Sequence, residues 1–128
     1  MIIRTLQDEA KTRRRVVSSS SESIRLLLAE DGMGFSINVT TIKPGVEARM
    51  RYQHHLEAVY CLSGRGSIEV EASGEVHTIQ KGTIYALDQH DAHVLRAETM
   101  LELVCVFNPA LVGTETRDRS GGYPLIKS

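Results

Sequence analysis

Cysteine is scarce in this chain: Cys61 and Cys105 are its only two, too few to form a disulfide framework. The N-terminus lacks the apolar core of a secretory signal. Together these absences predict a cytoplasmic protein with free thiols. No apolar run approaches the roughly 18 residues a membrane-spanning helix needs; the longest are fragments such as Leu101 to Phe107. Charge of one sign is also missing. With 15 basic and 16 acidic side chains the net charge is -1, so no long-range field favours nucleic acid. Asn38-Val39-Thr40 matches a glycosylation sequon, which has no consequence without a secretory route.

What is present suits one soluble domain. The chain has 128 residues, 41% of them hydrophobic and 24% charged, enough apolar material for a single core. The start is polar with some helical character, followed by the basic cluster Lys11 to Arg15, read mainly as a solvated face. The serine tract Ser18 to Ser21, with Glu22-Ser23, reads as a flexible loop or lid over 18–23, because short hydroxyl side chains compete for backbone hydrogen bonds. From Ile24 the pattern becomes short strands, about nine in all, separated by turn signals such as Asp31-Gly32, Pro44-Gly45, Ser63-Gly64-Arg65-Gly66 and Ser73-Gly74. That pattern predicts an all-β barrel or sandwich. The polar, Gly-rich stretch 112–128, containing Gly121-Gly122-Tyr123-Pro124, reads as a mobile, partly ordered flap.

Two segments keep the spacing of the cupin signature. Gly45, Arg51, Gln53, Glu57 and Gly64 fit its first motif, and Gly74, Gln80, Gly82, Tyr85 and Gln89 fit its second. The expected fold is therefore a cupin-type double-stranded β-helix, a jelly-roll barrel in one domain. Arg51, Gln53 and Tyr85 occupy slots that carry histidine in the usual cupin, so the common three-histidine metal set is excluded. Glu57, Tyr85 and His93 remain as candidate ligands. Singly, each is more often structural: an inward Glu paired to a cation, a core Tyr, a hydrogen-bonded His. Their co-occurrence in cupin slots favours a metal. Carboxylate, phenolate and imidazole suit iron(II), with other divalent metals possible.

Other residues follow from facing. His54 and His55 are adjacent and point to opposite faces; His55 shares its facing with Glu57. Asn38 with Thr40, and Cys105 with Phe107, are spaced two apart, so each pair presents both members to one face. Arg25 reads either as a clamp for a carboxylate or as an edge charge. Cys105 has no adjacent base and is not expected to be a nucleophile.

The segments Asp31 to Ser36, His55 to Cys61, Gly82 to Asp88 and Leu103 to Pro109 resemble the ectoine synthase family, with similarity from about Met1 to Pro124. The resemblance implies an iron-dependent lyase that cyclises N4-acetyl-L-2,4-diaminobutanoate to ectoine with loss of water, in compatible-solute biosynthesis. It implies metal ligation by Glu57, Tyr85 and His93, and substrate contacts from Arg25, Asn38, Thr40, Cys105 and Phe107. Tyr52 is implied as a catalytic residue, His55 and Glu115 as supports, and a head-to-tail homodimer as the assembly. The family usually has tryptophan where Ser21 stands, and histidine where Arg51 and Arg117 stand. Those departures motivate the alternatives: a metal- or small-molecule-binding cupin with altered catalysis, or a cyclase acting on a related amino acid.

Overall fold

A computed structural model describes residues 1–115 and 122–125. One helical turn, α1 (Leu6–Glu9), is capped by the Thr5 hydroxyl, which accepts the Asp8 N–H at 3.1 Å. Ten strands follow: β1 (Arg15–Val17), β2 (Ser21–Leu27), β3 (Ser36–Ile42), β4 (Glu47–Met50), β5 (Leu56–Ser63), β6 (Arg65–Val70), β7 (Val76–Gln80), β8 (Ile84–Leu87), β9 (His93–Ala97) and β10 (Leu101–Asn108). They form a six-stranded sheet in the order β1-β2-β3-β10-β5-β8 and a four-stranded sheet in the order β4-β9-β6-β7. Every pairing is antiparallel.

Strand β10 shows why the sheets close on each other. Leu101, Leu103, Cys105 and Phe107 are buried at every second position, while Glu102, Val104 and Val106 are only half-buried. That period of two gives the strand one core face. Ile68 and Ile79 from the smaller sheet, with Val59 and Cys61 from the larger, complete the core, each large aliphatic side chain contributing roughly 1.5–3 kcal/mol on burial.

Two expectations change. Ser21 to Ser23 belong to β2 rather than to a flexible loop, and β1, which begins at the last residue of the basic cluster, pairs with it. The serines make the turn themselves. The Ser18 backbone N–H donates to the Ser21 carbonyl at 2.9 Å, and the Ser18 hydroxyl accepts the Ser21 N–H at 3.1 Å. Side-chain oxygens thus substitute for backbone partners and tighten a hairpin. In the basic run Lys11, Arg13 and Arg15 are exposed, as a solvated face requires, while Arg14 is largely buried and pairs with Glu30 at 2.9 Å. The turn expected over Ser63 to Gly66 is also shorter, since β5 ends at Ser63 and β6 begins at Arg65. Gly66 lies within β6, where the position admits only glycine because a Cβ would lie 2.2 Å from the Arg96 carbonyl oxygen.

Of the flap expected over 112–128, Glu115, Gly122 and Tyr123 are buried, while Thr114 and Leu125 are exposed. Residues 116–121, including Arg117, and 126–128 lie outside the described residues.

Asp31 ties the N-terminal segment to the barrel. Its carboxylate accepts Arg4 Nη1 at 3.0 Å and Nη2 at 2.8 Å, together with the Leu28 N–H at 2.9 Å. The hydrogen bonds from Arg4 hold the Asp31 carboxyl below its ordinary 3.8. A carboxylate whose folded value is depressed stabilises the fold above its unfolded value and loses that contribution as pH falls through the folded one. We predict that Asp31→Ala lowers unfolding free energy by about 2 kcal/mol in urea titrations at neutral pH. The difference from wild type should shrink as pH falls below 3.8; a difference that stays constant with pH would contradict the pairing.

Candidate functional site

The register of the six-stranded sheet assembles the site. Arg25 lies opposite Asn38, Asn38 opposite Cys105, Cys105 opposite Val59, and Val59 opposite Tyr85. Side chains directly opposite share a face, so one row across five strands runs from an arginine to a tyrosine. The neighbouring row places Phe107 opposite Glu57; on the other side, Ser23 lies opposite Thr40. His93 comes from β9 in the facing sheet, where it pairs with Met50 of β4.

Two cavities lie along this row. The inner one, of about 20 Å³, is lined by Asn38, Thr40, Tyr52, Glu57, Tyr85, Cys105 and Phe107 among others, a volume that holds about one water-sized atom. The outer one, of about 310 Å³, is lined by Val16, Val17, Ser18, Ser20, Ser21, Ser23, Arg25, Thr40, Glu115 and Tyr123. Thr40 and Tyr123 are walls of both. The serine tract thus contributes the hydroxyl side of a chamber.

Two of the three candidate donors share a cavity. Glu57 and Tyr85 line the same inner cavity. His93 is not one of its described walls, but its ring centroid is 6.3 Å from that of Tyr52, which is. His93 Nδ1 lies 2.9 Å from the Asp91 carbonyl oxygen. A carbonyl only accepts, so Nδ1 carries the proton and Nε2 is the nitrogen with the lone pair in the neutral ring. This is the usual orientation of a ligating histidine. Among the described residues no three His, Cys, Asp or Glu side chains gather as a metal site; a set with tyrosine as third donor does not depend on such a cluster.

Arg25 is 1% exposed, which removes its reading as an edge charge. Its Nη2 donates to the Glu115 carbonyl at 3.0 Å, and Nη1 is 3.7 Å from Glu115 Oε1. Nε and Nη1 make no hydrogen bond to protein. A buried guanidinium with unused donors at a cavity wall is suited to an anion. Glu115 is itself anchored, accepting the N–H groups of Val112 at 2.7 Å and Gly113 at 2.8 Å.

The supporting residues are also in place. His55 is buried, edge-on to Phe107 at 5.9 Å, while His54 is exposed. Burial pushes the His55 imidazole below its ordinary value, with Glu115 opposing. The Tyr52 hydroxyl donates to Met50 Sδ at 3.5 Å. Arg51 and Gln53 are exposed, and Arg51 Nε donates to the His90 carbonyl at 3.2 Å, so neither histidine slot of the first motif reaches the interior. Tyr123 was not among the sequence candidates. Its one signal was the preceding glycine: a Cβ on Gly122 would lie 2.1 Å from the Arg51 carbonyl oxygen.

The ectoine synthase family model matches residues 1–127. The chain belongs to the ectoine synthase family. An L-ectoine synthase of Saccharophagus degradans is 52% identical over 125 residues, 98% of this chain and 95% of that protein. One from Sphingopyxis alaskensis is 54% identical over 124 residues, 97% and 90% of the respective chains. The crystal structure of an ectoine synthase from P. lautus superposes with a TM-score of 0.89 at 47% identity, covering 100% of this chain and 92% of that one. An RmlC-like cupin from Shewanella frigidimarina, 17% identical, covers 74% of this chain and 81% of its own with a TM-score of 0.63, which supports the cupin fold alone. The single-domain jelly-roll expected from motif spacing is thus the fold of this ectoine synthase family member. No helix among the described residues is long and apolar enough to cross a membrane.

Both thiols are buried, Cys61 at 1% and Cys105 at 6% exposure. Burial raises the Cys61 pKa, and the Cys105 thiol points to the Thr40 hydroxyl at 3.8 Å. Since the thiolate is the reactive form, we predict that a disulfide reagent at neutral pH titrates neither cysteine in minutes, and titrates both in denaturant. Rapid labelling of the native protein would contradict this arrangement.

Proposed function

We propose that this chain is a lyase that closes N4-acetyl-L-2,4-diaminobutanoate to ectoine with release of water, in compatible-solute biosynthesis. The observation that carries the reading is the cross-strand row. It runs from a buried arginine to a tyrosine beside Glu57, giving an anion clamp at one end of the lined space and oxygen donors at the other, in a chain of this family.

Arg25 binds the substrate carboxylate with its unused donors. Asn38, Thr40 and Cys105 line the path between, and Phe107 supplies an apolar wall. The substrate is thereby folded so that its free α-amine approaches its own acetamide carbonyl carbon, the proximity that makes ring closure effectively unimolecular. A C–N bond forms, the amine gives up its proton, and the carbonyl oxygen becomes a hydroxyl. That hydroxyl leaves as water once protonated, the ring nitrogen losing its proton as the C=N bond forms, with the Tyr52 phenol in the cavity wall placed to serve as acid. Glu57, Tyr85 and His93 would hold a divalent metal, iron(II) first, which when bound supplies a Lewis acid to polarise the acetamide oxygen. His55 and Glu115 hold Phe107 and Arg25 in place.

The reading includes a cytoplasmic enzyme working as a head-to-tail homodimer. Tyr60 and Ile84 lie opposite each other near the β8 edge and are 45% and 65% exposed, apolar surface that a second copy would cover.

The test is to load the protein with iron(II), add N4-acetyl-L-2,4-diaminobutanoate and follow ectoine by NMR. Turnover is expected, with Glu57→Ala and His93→Ala losing bound iron and at least about 100-fold in kcat, equivalent to about 2.7 kcal/mol. Arg25→Ala should raise KM more than it lowers kcat. Absence of product would overturn the activity. Full iron stoichiometry in both alanine variants would overturn the ligand assignment.

A further inference from the structure

Tyr123 is a wall of both cavities, and its ring packs against Tyr52, Phe107 and the Arg25 guanidinium. Its ring centroid is 5.1 Å from that of Tyr52 and 5.5 Å from that of Phe107, and Arg25 Cζ sits 5.8 Å over the ring. It is 8% exposed. A guanidinium this close to a ring face is attracted by its quadrupole, more strongly where water is excluded. Arg25 is thus held from two directions: Glu115 takes Nη2 through its carbonyl, and Tyr123 takes the cation through its ring. Neither contact uses Nε or Nη1, which make no hydrogen bond to protein.

We propose that Tyr123 is a positioning residue for the substrate's carboxylate, fixing the Arg25 guanidinium so that its unused donors face the ligand. The inference rests on the reading of Arg25 as the carboxylate clamp. Gly122 sets the ring's position, because its α-carbon packs against the Arg51 and Tyr52 backbone, where an added Cβ would lie 2.1 Å from the Arg51 oxygen. A side chain at 122 therefore displaces Tyr123 without altering its chemistry.

Calorimetric binding to the intact, metal-loaded protein separates the roles, using N4-acetyl-L-2,4-diaminobutanoate and its decarboxylated counterpart, N-acetyl-1,3-diaminopropane. Tyr123→Ala and Gly122→Ala should each weaken binding of the first ligand roughly tenfold. Tyr123→Phe, which keeps the ring, should bind as wild type does. All variants should bind the second ligand within about twofold of wild type, and in turnover Tyr123→Ala should raise KM while kcat changes little. Wild-type affinity in Tyr123→Ala, or an equal loss on both ligands, would overturn the role assigned to Tyr123. A wild-type protein that binds neither ligand would overturn the reading of the site itself.

Discussion

The strand register around β10 decides what this barrel can do. β10 is paired on both sides, to β3 and to β5, so its alternation fixes which residues of three strands face inward. Because side chains alternate with a period of two, a slip of one residue would turn Asn38, Cys105 and Glu57 outward and bury their neighbours. Such a slip would expose the core face of Leu101, Leu103 and Phe107. Hydrophobic burial therefore locks the polar row in place, and the site is a by-product of the same alternation that makes the core.

The polar row is stable only because its charges are matched. A buried guanidinium without partners would cost several kcal/mol. Here Glu115 sits beside it, and the two backbone N–H groups at the 112–113 turn hold that carboxylate in turn. The segment after β10 is thus structurally continuous with the site: without it, Arg25 loses its counter-charge and its aromatic cover. The hydroxyls of Ser18, Ser20, Ser21 and Ser23 complete the outer wall from the N-terminal side, opposite Glu115 and Tyr123.

Much of this was legible in the residues. The spacing of Gly45, Glu57 and Gly64, and of Gly74, Gly82 and Tyr85, carries the barrel, because glycines mark turns and the slots between them alternate. The inward facing of His55 and Glu57, and of Asn38 and Thr40, follows from the same alternation. What was not legible depended on contacts distant in sequence. The serine tract looks like coil until its hydroxyls are seen to close a hairpin. Arg25 is ambiguous until Glu115, ninety positions away, is found against it. Tyr123 carries no local signal beyond the glycine before it, since what makes it a wall is its contact with Tyr52 and Phe107. The resemblance implied roles for residues that alternation alone could only point inward.

We propose that one ligand spans the row from Arg25 to the donor set. A crystal structure of the metal-loaded protein with N4-acetyl-L-2,4-diaminobutanoate tests it most directly. Metal density bonded to Glu57, Tyr85 and His93 is expected, with the acetamide oxygen turned toward it and the carboxylate on Arg25. Metal held by other residues, or a ligand whose carboxylate lies away from Arg25, would contradict it.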